Sequence, residues 1–287
     1  MSGPPGHPGL NFVGLGLAAA AFWGASDFLG GLATRRAHVV LVVAIAHGLS
    51  LVLLLLLALA FHSPFPAERF VLLGLCAGTF GGVALILYYQ ALSLGEMGLT
   101  TAVTGVLTAM VPIGFSFVTQ GSPKTSQIAG FVLAAGAIAL IAYAPAGKLR
   151  PSALGLAAVA GLCFGAFLVV LKVSNAPSLL WQLIFSRVAS AGLATGAVMW
   201  TRPPGGKEAG KSRFMWIAGA AGALEAGGTL LYMQSAHLGR LDVAAVLASL
   251  YPVVTILLAA WILKERTTAS QALGMALALG AVLLVSI

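Results

Sequence analysis

Nearly the whole chain is cut into apolar runs of membrane-spanning length, and that feature leaves few folds open. Charges, prolines and glycine-rich turns separate segments near 12–33, 38–61, 69–93, 98–119, 126–144, 153–173, 178–200, 213–237, 242–263 and 269–287. A helix crosses a bilayer with about 20 mostly apolar residues and a barrel strand with about 10. The runs are continuous rather than alternating and have helical length. The sequence therefore predicts an all-α polytopic membrane protein of about ten transmembrane helices. Of its 287 residues, 8% are charged and 60% hydrophobic, whereas a soluble domain carries about 25% charged residues. No polar stretch is long enough to form a domain of its own.

The formal net charge of +8 does not indicate nucleic acid, because the basic residues sit singly or in small groups between apolar runs. Their distribution instead suggests an orientation. The first, fifth, seventh and ninth connections contain Arg35, Arg36, Lys148, Arg150, Arg202, Lys207, Lys211, Arg213, Lys264 and Arg266, against Arg69, Lys124, Lys172 and Arg240 on the other side. The positive-inside rule places the first set in the cytoplasm and both termini outside. The N-terminal stretch before Leu10 has no basic region of the kind that opens a cleavable signal, so the first helix is expected to remain a membrane span. Cys76 and Cys163 are isolated in separate runs, which argues against a disulfide framework or metal cluster, and no cofactor is expected. The loop Thr201–Ser212 is polar and flexible but too short to hold chemistry of its own.

The chain also repeats itself. At a spacing of 144, Leu87-Tyr88-Tyr89-Gln90 falls on Leu231-Tyr232-Met233-Gln234, Ser126-Gln127 on Ser270-Gln271, and Gly136-Ala137 on Gly280-Ala281, without a gap. Upstream the spacing drifts to about 141, where Gly24-Ala25 meets Gly165-Ala166. Two five-helix halves follow, 12–144 and 153–287. Because five is odd, the second half enters the membrane from the opposite side, giving the inverted-topology repeat that underlies alternating access.

These residues resemble the drug/metabolite transporter superfamily, specifically its ten-helix EamA-type branch. The resemblance rests on Trp23-Gly24, on the duplicated helix ends Ala91-Leu92-Ser93-Leu94-Gly95 and Ala236-His237-Leu238-Gly239, and on Ser249-Leu250-Tyr251-Pro252-Val253-Val254 followed by Leu263-Lys264-Glu265-Arg266. It covers essentially the whole chain. It implies a carrier of small organic solutes, often an exporter of amino acids or other metabolites, with its pathway between the two halves. The first half departs from the pattern: Thr108 stands opposite Pro252 and Gly121 opposite Glu265, while Pro112 lies one turn later.

Three ionisable residues lie deep in apolar runs, where a charge costs on the order of 3 kcal/mol or more unless it faces protein or water. Asp27 follows Trp23 by one turn, on a stripe with Gly24 and Gly31. Glu225 shares a helical face with Gly222, Gly228 and Tyr232. Arg187, deep in the seventh run, requires an acid, carbonyls or an anionic group as partner, and His47 in the second run aligns roughly with it. Asp27, Glu225, Arg187, Trp23, Tyr88, Tyr232 and His47 are the candidate substrate or proton site. Bland readings stand beside this one: Arg187 paired with one acid as a static helix contact, His47 as a hydrogen-bonded contact, and Trp23 as packing. Thr100, Thr104 and Thr108 form a stripe that either satisfies backbone carbonyls or lines a pathway. Gln90 and Gln234 are expected to bond between helices. Pro112, Pro252 and Tyr251 are the candidate hinge or gate residues.

The leading expectation is a secondary transporter, an exporter of a small organic solute such as an amino acid, metabolite or drug, with protons as a coupling ion. The alternatives are a flippase for lipid or lipid-linked sugar and an intramembrane enzyme. The enzyme reading lacks an HExxH, an acid-rich diphosphate motif or a Ser–His pair, and no GxxxxGK[ST] marks a nucleotide site. A monomer in a bacterial inner (plasma) membrane is the expected setting, with solute and lipid bilayer as its partners.

Overall fold

The computed structural model describes residues 8–94, 97–142, 151–174, 177–202, 212–262 and 268–286. Most of the Thr201–Ser212 loop and the Lys264-Glu265-Arg266 helix end lie outside these residues. The described residues form eleven helices and no strand. In chain order they are α1 (Pro8–Thr34), α2 (Val39–Ala60), α3 (Glu68–Leu94), α4 (Met97–Gln120), α5 (Thr125–Ala142), α6 (Pro151–Ser174), α7 (Leu179–Thr201), α8 (Ser212–Leu238), α9 (Leu241–Ala248), α10 (Tyr251–Ile262) and α11 (Ala269–Ser286). Counting α9 and α10 as one run, eight spans among the described residues are long and apolar enough to cross a membrane. The shorter α5 and α11, 18 residues each, pack against one another.

The ninth predicted span is two helices, not one. Pro252 has no N–H to give to the carbonyl of Ala248, and the chain tightens there. Ser249 N–H still donates to Ala245 O at 2.9 Å, but Leu250 N–H reaches back only to Leu247 O at 3.3 Å and Val253 N–H to Leu250 O at 3.0 Å. Pro112 produces no such break, since α4 continues through it.

The packing between halves obeys the repeat. Helix α1 lies mainly on α8 and its counterpart α6 lies on α3; α4 packs on α6 as α9 and α10 pack on α1; α2 meets α7 and α5 meets α11. Each contact is thus matched by its image when the halves are exchanged, as an axis relating inverted repeats requires. The closest approaches occur at small residues, which let backbones meet without relying on a hydrophobic drive. Gly78 of α3 sits on the backbone of Ser186 in α7, and Gly222 of α8, 144 positions later, sits on the backbone of Ala46 in α2; a Cβ at either would collide. Likewise a Cβ on Gly24 would stand 2.6 Å from Tyr251 O in α10, and one on Gly165 would stand 2.6 Å from Val111 Cβ in α4.

Polar ties bind one end of the bundle across the halves. Ser63 Oγ lies 2.6 Å from Ser178 Oγ, and Trp181 Nε1 donates to Ser63 O at 2.9 Å. Helix α4 ends at Gly121, whose φ of 78° is the left-handed conformation that glycine adopts freely. The Gly121 carbonyl accepts from Arg240 Nη2 at 3.1 Å. Arg240 also holds Asp242 in a fork, Nε to Oδ1 at 3.1 Å and Nη2 to Oδ2 at 2.8 Å.

Candidate functional site

The crossing of Gly222 with Ala46 and of Gly78 with Ser186 brings the next residue of each partner helix, His47 and Arg187, to the interior. Both converge on Glu225. Arg187 Nη2 forms an ion pair with Glu225 Oε2, and His47 Nε2 lies 3.9 Å from the same oxygen. The other carboxylate oxygen, Oε1, accepts from Thr229 Oγ1 at 3.0 Å, and Thr229 Oγ1 in turn accepts from Trp23 Nε1 at 3.4 Å. Arg187 and His47 are each 1% exposed. The cation is therefore sealed behind the acid, where a low dielectric strengthens the pair and makes either member costly without the other.

Asp27 is held differently. Its Oδ2 accepts from Tyr88 OH at 3.0 Å, and the same hydroxyl lies 3.0 Å from Thr101 Oγ1. A phenol has one proton to give, so when it donates to Asp27 it accepts from Thr101. Tyr251 OH donates to Thr101 O at 3.3 Å, closing the group on the α10 side. None of these partners carries a positive charge.

The two acids line one cavity. Its volume is about 50 Å³, and it is walled by Trp23 and Asp27 of α1, Tyr88 of α3, Thr108 of α4, Glu225 of α8 and Tyr251 of α10, with α6 supplying Phe164, Phe167 and Leu168. Five of the sequence-predicted residues thus meet there: Asp27, Glu225, Trp23, Tyr88 and Tyr251. Arg187 and His47 form the backing of Glu225 instead of lining the space. Arg187 takes Glu225 as its partner. Tyr232 stands behind Trp23, ring centroids 5.6 Å apart at 31°. The repeat-related tyrosines have accordingly separated in role, Tyr88 to the acid and Tyr232 to the packing of the indole. Pro252 lies beside Tyr251 at the α9–α10 break, while Pro112 lies one turn beyond Thr108.

The threonine stripe divides. Thr104 Oγ1 bonds backbone, to Thr100 O at 2.9 Å and Ala157 O at 3.2 Å, whereas Thr108 faces the cavity. Gln234 is exposed, so the helix-to-helix bond expected of it has no geometric basis. Sequence reasoning missed Thr101 and Thr229, which orient the two acids, and the α6 aromatics. Phe164 carried a signal: at the spacing of 141 it is the repeat image of Trp23.

A family model, the EamA-like transporter family, matches residues 11–143 and again 151–287. No curated protein matches the sequence. A protein of known crystal structure superposes with a TM-score of 0.74 at 17% identity, over 95% of each chain, a likeness of fold alone. With both halves matched in turn, and with helices that pack as exchanged halves do, the chain belongs to the EamA-like transporter family, a family of multi-pass membrane carriers of small solutes.

Proposed function

We propose that this protein exports a small organic solute by alternating access, its two five-helix halves rocking about the cavity that contains Asp27 and Glu225. One observation carries the reading: acids from different halves, Asp27 on α1 and Glu225 on α8, line a single space that helices of both halves enclose. Rocking would alter the surroundings of both acids together, and so would couple solute binding to the side of the membrane that is open. Asp27 is the coupling site. With a neutral phenol and a threonine as its neighbours, it exchanges a proton at lower electrostatic cost than Glu225, whose ion pair with Arg187 would have to be broken. The polar ties at Ser63–Ser178 and Arg240–Gly121 hold one end of the pathway shut in this conformation. The setting is a bacterial inner membrane and the working unit a monomer, since both halves of the pathway come from one chain.

The test is transport by the full-length chain in proteoliposomes under an imposed pH gradient, with a panel of amino acids, nucleosides, sugars and organic amines. Wild type is expected to accumulate one class, and Asp27→Asn to abolish the gradient-driven part. Full gradient-driven uptake retained by both Asp27→Asn and Glu225→Gln would overturn the assignment.

A further inference from the structure

The charges of the cavity do not balance. Two acids line it, and no lysine, arginine or histidine is among its lining residues. Arg187 is committed to Glu225 from behind and is 1% exposed. One carboxylate, Asp27, is left without a counter-charge, faced by Tyr88 from α3, Tyr251 from α10 and the already paired Glu225 from α8. The rest of the wall is apolar and largely aromatic: Trp23, Phe164, Phe167, Leu85 and Leu168. Aromatic faces attract a cation and reject an anion, and do so more strongly away from water. A further polar group also awaits a partner. Thr108 lines the cavity and is 6% exposed, and its buried hydroxyl has no hydrogen bond in the structure.

We infer that the solute is an organic monocation, a primary or secondary ammonium on an apolar body of about one aromatic ring, its charge opposite Asp27 and an N–H available to Thr108. This rests on the transport reading above and narrows its substrate. It also disfavours zwitterionic amino acids. The carboxylate of an amino acid would enter a space that already holds two acids, and the one guanidinium near enough to receive it is covered by Glu225. A free cation, by contrast, supplies the charge the cavity lacks and can exchange with a proton on Asp27, one leaving as the other arrives.

The probes are four molecules of nearly one shape: phenethylammonium, neutral 2-phenylethanol, anionic 3-phenylpropionate and zwitterionic phenylalanine. Thermal stabilisation of the purified full-length protein is expected from phenethylammonium, at concentrations at least about tenfold below any effect of the other three. Asp27→Asn should remove the shift and Asp27→Glu should keep it, which separates loss of charge from loss of fold. Trp23→Leu should raise the half-saturating concentration about tenfold, the order of one desolvated cation–π contact. The inference is overturned if phenylalanine or 3-phenylpropionate stabilises as well as the amine, if Asp27→Asn responds like wild type, or if none of the four shifts the protein. Asp27-dependent flux of phenylalanine in proteoliposomes without phenethylammonium binding would overturn the solute class and leave the transport reading standing. Phenethylammonium binding with no flux of any solute would do the reverse.

Discussion

Glu225 and Asp27 open onto the same cavity from different halves, yet their surroundings differ in kind. Glu225 meets a buried guanidinium, an imidazole and a threonine, so its charge is answered within the protein. Asp27 accepts from one phenol, Tyr88, which Thr101 backs in turn. A buried ion pair contributes little net stability when formed but is costly to break, because the orphaned charge stays in a low dielectric. An unanswered acid is the opposite: it strains the folded state and is available to whatever cation arrives. The contrast teaches that two carboxylates in one space need not share a task. One is tied to a cation of the protein's own, across α7 and α8, and the other is not.

The sharpest way to break this comparison is to remove the guanidinium. Arg187→Leu leaves Glu225 without its cation, and we expect a loss of about 3–5 kcal/mol, seen as a large fall in unfolding temperature in detergent. Adding Glu225→Gln to the same chain removes the orphaned charge and should recover most of that loss, a strong non-additivity. A single variant as stable as wild type would mean that the pair has no structural role.

Asp27→Asn is expected to act in the reverse sense. The amide keeps an acceptor for Tyr88 and sheds an uncompensated charge, so the unfolding temperature should be unchanged or higher. Transport should nevertheless fall by at least about a hundredfold, equivalent to about 2.7 kcal/mol. Glu225→Gln supplies the internal control, because it strands Arg187 and should lower stability. If Asp27→Asn and Glu225→Gln destabilise alike, the two acids are equivalent and the distinction fails.

The same contrast shows what could be read from the sequence. Span number, the repeat and the depth of Asp27, Glu225 and Arg187 were legible because a bilayer sets helix length and makes each buried charge conspicuous. The face of Gly222, Glu225, Gly228 and Tyr232 was legible from helical spacing, and the structure uses it: Gly222 crosses α2 and Gly228 leaves room for Trp23. Which acid Arg187 would choose was not legible. That depends on how α7 meets α8 across the bundle, and no local spacing encodes the choice. Thr101 was hidden for a related reason, since its partners Tyr88 and Tyr251 lie on other helices; Thr229 stands four residues after Glu225 on the same helix, a spacing the sequence does show. The break at Ser249-Leu250 was half legible, because Pro252 marks the place but not whether the helix kinks or parts.

That break offers a smaller test, now between the two prolines. Pro252→Ala restores an N–H for Ala248 O and favours joining α9 to α10, which would turn Tyr251 away from Thr101. A decrease in transport of about tenfold is expected, with little change in unfolding temperature. Pro112→Ala should change transport by less than about threefold. Thr108 O, the carbonyl that Pro112 leaves free, already faces Gly165, where a Cβ would stand 2.9 Å away, and α4 continues without a break. Equal effects from the two substitutions would mean that the break between α9 and α10, which α4 lacks, has no part in transport.

The smallest expected effect lies at the end of the bundle, far from both acids, where the Arg240–Asp242 fork shows what a rim pair does in comparison with Arg187–Glu225. Asp242 is fully buried and also accepts from Val243 N–H at 2.8 Å, whereas the Arg240 side chain is 29% exposed. Water can therefore replace part of what Arg240 gives, and Arg240→Gln should cost about 1 kcal/mol, well below the cost of Arg187→Leu. Hydrogen bonds to Asp242 push the Arg240 guanidinium above its ordinary range. A pKa raised on folding adds stability below the unfolded value and loses it only as pH climbs through the folded one. Both lie above the range in which the protein can be handled. The difference in unfolding temperature between wild type and Arg240→Gln should accordingly stay constant from about pH 5 to pH 9. Because Arg240 also reaches Gly121 of the other half, the same variant should open that end more readily, raising the labelling rate of a cysteine placed at Ser63 by severalfold. A labelling rate unchanged from wild type would confine Arg240 to holding Asp242.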